Sequence, residues 1–282
     1  MRTRRQFMST ALKGTAGALA ASSLFPSSIF GQDGNKPNVL FIAVDDLNDW
    51  IGCLGGHPDS VTPNFDRLAS QSVLFTQGYC NGPSCNPSRS SLVTGTMPAT
   101  SGVYENGQPF RYAMPDAVTL MQHFMANGYQ VTGRGKITHH NYIDSASWHK
   151  YETQGPDPNP EGRPFNGFAD QSSGSNRWFD WGPVDLKDEE MDDWKTTEWA
   201  KEVLRGEHDK PFFFGCGLWR PHLPWYVPKK YFDMYPLDEI TLPNMREDDL
   251  DDIPEAGRKV VRMTDHKNVT EHDQWRKAVQ GY

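Results

Sequence analysis

One uninterrupted apolar run limits the folds open to this chain more than any other feature. Residues 38–44 read Asn-Val-Leu-Phe-Ile-Ala-Val and end at Asp45 and Asp46. Continuous β-prone runs of this kind are typical of strands that are buried on both faces of a sheet. We therefore expect a buried first strand whose carboxyl end carries two adjacent carboxylates.

Helical and extended patterns alternate along the chain that follows. Each helical pattern precedes an apolar extended run, in the pairs 62–70 and 72–76, 119–125 and 129–132, and 189–204 and 212–218. Thr62 and Pro63 supply an N-cap and a first-turn proline for the first helix. This alternation predicts an α/β fold with a mostly parallel sheet flanked by helices, and ligand sites at the carboxyl ends of its strands.

The N-terminal residues indicate export rather than a part of this fold. Arg4 and Arg5 precede an apolar stretch at about residues 11–25, with a candidate cleavage site at residues 18–20. The stretch is shorter than the roughly 20 apolar residues that span a bilayer, so we expect no permanent membrane anchor. Residues 1–31 are therefore predicted to be a twin-arginine signal peptide and linker. The export machinery would recognise them, and the mature protein would be periplasmic or extracellular.

The charge balance and the cysteines restrict the partners and the cross-links. The chain has 28 basic and 36 acidic residues and a net charge of -8, so nothing global favours nucleic acid as a partner. An anionic substrate requires a locally positive pocket. Cys80–Cys85 and Cys53–Cys216 are conceivable disulfides, and the irregular cysteine spacing does not suit structural zinc. A Cys80–Cys85 bridge would exclude a catalytic role for Cys85.

Cys85 begins a segment with the composition of an anion site. Residues 85–89 read Cys-Asn-Pro-Ser-Arg and lead into a helical pattern that starts near Pro87 and stops at Gly95. Free N–H groups at a helix N-terminus favour anions, and Arg89 adds donors for an oxyanion or sulfate. On its own, the segment fits a cysteine nucleophile, as in a thiol phosphatase or thiol transferase, or a buried inert cysteine.

The pair Asp45-Asp46 indicates a cation site. Two adjacent carboxylates at a strand end repel each other unless a cation, an arginine or a lysine compensates them. Oxygen ligands without a nearby imidazole or thiolate favour hard ions, which indicates calcium or magnesium. A solvated acidic turn is the alternative interpretation.

Several segments together resemble the type I sulfatases, in which the signature cysteine is oxidised to formylglycine. The Cys-x-Pro-Ser-Arg core, with Thr94 and Gly95 closing its helix, is similar to the family signature. Other segments resemble the family's first strand with its aspartate pair, its first helix, its Gly-Lys-x-x-His segment and a Lys-Pro-His-x-Pro loop: residues 38–46, 62–69, 135–139 and 219–224. The loop is that of the iduronate-2-sulfatase-like branch.

The resemblance implies an alkaline-phosphatase-like fold and a sulfuric ester hydrolase that acts on a sulfated saccharide. It implies that one calcium ion, in preference to magnesium, is held by Asp45, Asp46 and the formylglycine made from Cys85. It assigns catalysis to Cys85, Arg89, Lys136, His139 and His222. Lys136 and His222 would contact the sulfate and the leaving oxygen, and His139 would lie beside the formylglycine. A formylglycine-generating enzyme is then an implied partner.

The chain departs from the family pattern in its C-terminal part. The family's metal site is completed by an aspartate followed by His or Asn, usually within Ser-Asp-His-Gly, and we do not find this segment. Asp265-His266 is the only Asp-His pair, without a buried strand before it or a glycine after it, and we interpret it as solvent-exposed. We expect residues 36–282 to be the N-terminal part of a sulfatase catalytic domain, C-terminally incomplete, with a loop-rich insertion at about residues 142–183.

Two alternatives to an active sulfatase remain open at this point. One is a phosphoesterase of the same superfamily, against which the cysteine signature argues. The other is an inactive truncated sulfatase fragment that retains a sulfated-glycan-binding cleft. Aromatic side chains would then stack on sugars in that cleft, namely Trp178, Trp181, Trp219, Trp225 and Tyr226.

Overall fold

The computed structural model describes residues 36–139, 142–155, 179–246, 248–261 and 263–282. The signal peptide predicted at residues 1–31 lies outside these ranges, as do Trp178 and the middle of the predicted insertion. None of the helices within the described ranges is long and apolar enough to cross a membrane.

Strands and helices alternate along most of the described chain. The strands are β1 (Val39–Val44), β2 (Gln130–Gly135), β3 (Lys150–Glu152), β4 (Trp181–Val184), β5 (Phe212–Leu218) and β6 (Trp225–Pro228). The helices are α1 (Pro63–Ala69), α2 (Cys85–Thr94), α3 (Pro98–Ser101), α4 (Phe110–Ala113), α5 (Leu120–Ala126), α6 (Asp192–Arg205), α7 (Lys229–Asp233), α8 (Glu255–Arg258), α9 (Met263–Glu271) and α10 (Trp275–Gly281). Short 3₁₀ turns occupy Ser145–Ser147 and Asp188–Glu190.

A four-stranded parallel sheet forms the centre, in the strand order β1-β5-β2-β3. Val44 pairs with Leu218 and Gly135 pairs with Gly217, so β1, β5 and β2 end at one common edge. Strands β4 and β6 form a separate parallel pair. The predicted α/β fold with a mostly parallel sheet is confirmed, and its connectivity brings the residues after these three strands together.

The main core lies between α2, α5 and the central strands. Val131 of β2 is 0% exposed, and Phe213 of β5, Met121 of α5 and Val93 of α2 pack in the same buried cluster. Full burial of such side chains contributes about 1.5–3 kcal/mol each. Helix α5 begins where the sequence predicts, because Thr119 and Gln122 form a reciprocal capping box. This core fixes the sheet edge at which the polar residues collect.

Two strand predictions are wrong. The strand expected at residues 72–76 does not form. Val73 and Phe75 lie in an irregular segment and are 79% and 80% exposed. Strand β1 is half-buried on one face and exposed on the other, with Leu40 41% and Ile42 51% exposed. An apolar extended run identifies residues that favour a sheet, but pairing and covering require neighbours, and β1 lies at the sheet edge.

A pair of glycines allows β2 and β5 to end in close contact. Gly135 has φ +87°, and a Cβ there would lie 1.9 Å from the carbonyl oxygen of Gly217. A Cβ on Gly217 would lie 2.3 Å from the backbone nitrogen of Lys136, whose N–H donates to the Gly217 oxygen at 3.1 Å. Only glycine fits this approach without strain. The contact turns the chain so that Lys136 enters the common edge.

Candidate active site

The polar side chains at the common edge surround a buried carboxylate. Asp45, 4% exposed, follows β1 directly. Its Oδ1 accepts from a guanidinium nitrogen of Arg89 at 2.6 Å, and its Oδ2 accepts from Nζ of Lys136, which is 2% exposed. Burial acts to raise the pKa of Asp45, but Arg89 and Lys136 outweigh it and lower that pKa. The first aspartate is therefore ionised and fully compensated by protein charges.

Arg89 connects the helix that carries Cys85 to the end of β2. The guanidinium is buried and, besides Asp45, donates to the backbone oxygens of Lys136 and of Ile137, the latter at 2.8 Å. Three acceptors from two separate segments thus converge on one side chain of α2. The structure places Arg89 as a link between elements, and its planar set of donors suits this better than a lysine would.

The Cys85 thiol faces this cluster from the first position of α2. Its Sγ lies 4.0 Å from Nζ of Lys136. Burial raises the pKa of the thiol, Asp45 and Asp46 act in the same direction, and Lys136 and Arg89 oppose them. The thiol is thus neutral at pH 7, unlike the activated thiolate of a cysteine nucleophile.

The four cysteines are free thiols in the structure, so neither conceivable disulfide is formed. Cys80 lines the same cleft as Cys85, a space of about 750 Å³ between the end of β1 and the start of α2. A second, mostly apolar cavity of about 630 Å³ near Trp50 and Tyr282 does not include Cys85. We assign the site to the cleft that holds Cys85, because the ionised groups lie there.

Asp46 and His222 complete the arrangement. Asp46 has φ +55°, and its half-exposed carboxylate lies 3.8 Å from Nε2 of His222. Burial and the adjacent Asp45 raise the pKa of Asp46. Burial and Lys136 lower the pKa of His222, so its imidazole is neutral at pH 7. Because Nδ1 bonds to the backbone oxygen of Leu223, the Nε2 lone pair faces the two aspartates.

The residues present fit a divalent cation. Ligand atoms of Asp45, Cys85 and His222 lie within 4.8 Å of one another, and Cys85 Sγ stands where the oxygens of a formylglycine would be. The resemblance implies Asp46 as the third ligand instead, with Nε2 of His222 beside the two carboxylates, 3.9 Å from Asp45 and 3.8 Å from Asp46. The charges of Arg89 and Lys136 formally cancel those of the two aspartates, so the cluster lacks the net positive charge that an anionic substrate requires. A divalent cation would supply that charge and lower the raised pKa of Asp46.

Two histidine predictions have different outcomes. The His139 ring is buried and stacks on Tyr142 at 5.7 Å, and it is not part of the Asp45, Cys85 and His222 group. Its place beside residue 85 stays a prediction. His266, interpreted as solvent-exposed, lies half-buried in helix α9 against Trp275 at 5.7 Å. Its burial differs from the expectation because α9 and α10 pack together, but among the described residues no strand lies directly before it, as expected.

The aromatic residues proposed as sugar platforms mostly have other partners. Trp181 and Tyr226 are 3% and 1% exposed and pack in the interior. Trp225 donates from its indole N–H to the Pro221 oxygen at 2.7 Å and packs near Trp181, with the ring centroids 5.9 Å apart. One face of Trp219 is occupied by the Lys136 ammonium, 3.8 Å from the ring centroid. For Trp181 and Tyr226, the sugar-platform interpretation is wrong because neither ring is accessible.

Sequence reasoning missed Asp193, which anchors the loop that carries His222. Its carboxylate oxygens accept from the backbone N–H groups of Trp219 at 2.8 Å and Arg220 at 2.9 Å. Asp193 lies in the first turn of α6. The excess of aspartates at the start of that helix was the available signal, but favourable helix-dipole interactions alone would explain it.

Comparisons with known proteins agree with the geometry of the site. The Sulfatase family model matches residues 37–266. A sulfatase from Formosa agariphila is 38% identical over 267 residues, which are 89% of this chain and 52% of that protein. Iduronate 2-sulfatase from Homo sapiens is 32% identical over 224 residues, 73% of this chain and 38% of that protein. The chain thus spans about half, or less, of the length of these curated relatives.

Two solved structures share the fold. A phosphonate monoester hydrolase from Silicibacter pomeroyi matches with a TM-score of 0.59 and 23% identity, covering 87% of this chain and 56% of that one. The complex of BT4656 with D-glucosamine-2-N,6-O-disulfate matches with a TM-score of 0.54 and 17% identity, covering 86% and 52%. These neighbours confirm the predicted fold class. Since the family match includes β1, Cys85, Lys136 and the His222 loop, the chain belongs to the sulfatase family.

Proposed function

We propose that this chain forms the part of a sulfuric ester hydrolase that carries the nucleophile, and that the substrate is a sulfated saccharide. The nucleophile is a formylglycine made from Cys85, and it works with one divalent cation, calcium in preference to magnesium. The observation that carries the proposal is the convergence of Asp45, Lys136 and His222 on the side chain of residue 85. Membership of the sulfatase family and the disulfated-sugar complex of a structural neighbour support the substrate class.

The residues of the chain have separable roles in this proposal. Formylglycine supplies a hydrated aldehyde hydroxyl as the attacking group, and the cation supplies positive charge for the sulfate oxygens. Lys136 lies close enough to residue 85 to contact a sulfate oxygen held there. Arg89 keeps Asp45 ionised and fixes the backbone that presents Lys136. Asp45 and Asp46 would hold the cation together with residue 85.

His222 is the proton carrier at the leaving oxygen. Its Nε2 faces the cluster while Nδ1 is held by the Leu223 oxygen, so only Nε2 can exchange a proton with a ligand there. The pKa of His222 is lowered by burial and by Lys136. A sulfate ester at residue 85 would bring negative charge beside His222 and so oppose the lowering of its pKa by Lys136.

The state of residue 85 tests the proposal directly. The chain should be produced in its native host, or with a formylglycine-generating enzyme, and the peptide spanning Cys85 should be read by tandem mass spectrometry. We expect the mass loss of thiol-to-aldehyde conversion at Cys85, and none at Cys80 in the same peptide. An unmodified thiol at residue 85 in all of the material would contradict the proposal. The intact mass of exported protein reports whether the proposed signal peptide has been removed near residues 18–20.

Cation binding is the second expected result. Isothermal titration of the converted protein with Ca²⁺ should show one site, because two carboxylates meet there and both Arg89 and Lys136 pair with Asp45 rather than with Asp46. Mg²⁺ should bind more weakly, since it demands stricter geometry. Asp46→Asn removes one charged ligand and should weaken Ca²⁺ binding by about tenfold or more. Equal Ca²⁺ affinity in the variant would remove Asp46 from the proposed site.

A further inference from the structure

The first turn of α2 is capped by a side chain from a distant loop. The N-cap residue Ser84 makes no side-chain cap of its own; its hydroxyl instead donates to Oδ1 of Asn106 at 3.0 Å. The same Asn106 oxygen accepts from the backbone N–H of Asn86 at 2.9 Å. One oxygen therefore holds both residues that flank Cys85.

The loop that presents Asn106 is itself held from α2. The Asn86 side chain, 2% exposed, donates to the backbone oxygens of Glu105 at 2.9 Å and Gln108 at 2.6 Å. Within the loop, Oε1 of Gln108 accepts from the backbone N–H of Glu105 at 2.9 Å. We call this set of hydrogen bonds from Ser84, Asn86, Asn106 and Gln108 the asparagine clamp. In all four hydrogen bonds between the two segments, Ser84 or Asn86 donates and the loop accepts.

The asparagine clamp limits anion binding at the N-terminus of α2. Free N–H groups at the start of α2 were expected to favour an anion, but the Asn86 N–H is already bonded to Asn106. This amide therefore positions residue 85 instead of contacting a ligand. Contacts to an anion at residue 85 are therefore left to side chains and to the cation, with Nζ of Lys136 4.0 Å from Sγ of Cys85.

We propose that Asn106 is a positioning residue, which holds the backbone on both sides of residue 85 so that its side chain faces Asp45 and Lys136. Loss of the Asn106 oxygen frees two donors at once and leaves the first turn of α2 without a cap. The importance of this position for catalysis rests on the function proposed above. The positioning itself concerns the unmodified chain and can be measured on the Cys85 thiol.

The experiment follows alkylation of the unconverted protein by iodoacetamide, with each cysteine quantified by tandem mass spectrometry. In Asn106→Ala we expect the Cys85 rate to rise about tenfold, because the released turn exposes a thiol that is half-buried in the wild type. Cys216, 4% exposed in β5, reports general unfolding and should change by less than about twofold. Asn106→Asp keeps the acceptor oxygen and should return the Cys85 rate to within about twofold of wild type.

The control variant is Asn127→Ala, the same substitution in an exposed turn after α5, which should leave the Cys85 rate unchanged. Gln108→Ala is the second test variant should Asn106→Ala fail to fold, and it should raise the Cys85 rate by a smaller factor. An unchanged Cys85 rate in the Asn106→Ala or Gln108→Ala variant would overturn the positioning role, as would an equal rise at Cys216. Absence of formylglycine would refute the proposed function while leaving this result intact.

Discussion

Cys85→Ser should accept a sulfate group from a sulfate ester and then fail to release it. Serine offers one hydroxyl to attack sulfur, but it lacks the second hydroxyl whose deprotonation expels sulfate without water attacking the sulfur. We expect product release to stop at about one equivalent per chain, and steady turnover to fall by at least about 10³-fold. Stopped product release together with the added mass of one sulfo group on the peptide containing residue 85 would establish the trapped state.

The control is Cys53→Ser, the same substitution at a half-buried cysteine outside the cleft. It should turn over like the wild type. Sustained multiple turnover by Cys85→Ser would contradict the formylglycine mechanism. Phosphate monoesters assayed in parallel distinguish a sulfatase from a phosphoesterase of the same superfamily, since a sulfatase should hydrolyse the sulfate ester preferentially.

Arg89→Met should cause the largest loss of stability among single substitutions at the site. It leaves the buried Asp45 carboxylate with one cation instead of two and frees the backbone oxygens of Lys136 and Ile137. Breaking a buried ion pair by removing one partner costs about 3–5 kcal/mol. We therefore expect the free energy of unfolding to fall by that amount and Tm by roughly 6–20 °C. Thermal and urea denaturation measure both.

The loss of stability caused by Arg89→Met should depend on pH. The folded pKa of Asp45 is lowered, so its ion pairs stabilise the fold above the unfolded value of about 3.9, and the contribution disappears as the pH falls through the lower folded value. The difference in the free energy of unfolding between wild type and Arg89→Met should therefore decrease in acid. Arg246→Met is the matched control, because the Arg246–Asp248 pair is exposed, and it should leave Tm unchanged. An equal Tm shift in the two variants would contradict the role given to Arg89.

Local patterns in the sequence predicted the parts of the fold that depend on neighbouring residues. The apolar runs marked β5 and β1, and the helical spacing that begins at Thr119 marked α5. Helix α2 begins at Cys85, two residues before the expected Pro87, and stops at Gly95 as expected; Gly95 adopts the left-handed conformation. These features are local because caps and periodicity act within one or two turns.

Contacts between distant segments could not be read from the same patterns. The pairing of Asp45 with both Arg89 and Lys136 is a tertiary arrangement, and the sequence indicated only that some cation must compensate the aspartates. Asn106 has no local signal, because its acceptor serves a helix that begins 21 residues earlier. The open face of β1 was missed for the same reason, since burial depends on what lies above a strand.

The strand order also sets when the site can form during synthesis. Strand β5 lies between β1 and β2, so neither has its central partner until residue 218 has left the ribosome. At about 5–20 residues per second, more than a hundred residues between α2 and the end of β5 take roughly 10 s to add. His222 follows later still. During that interval the sheet beside Cys85 is incomplete, so we expect its thiol to be more accessible to modification than in the folded chain, where it is half-buried.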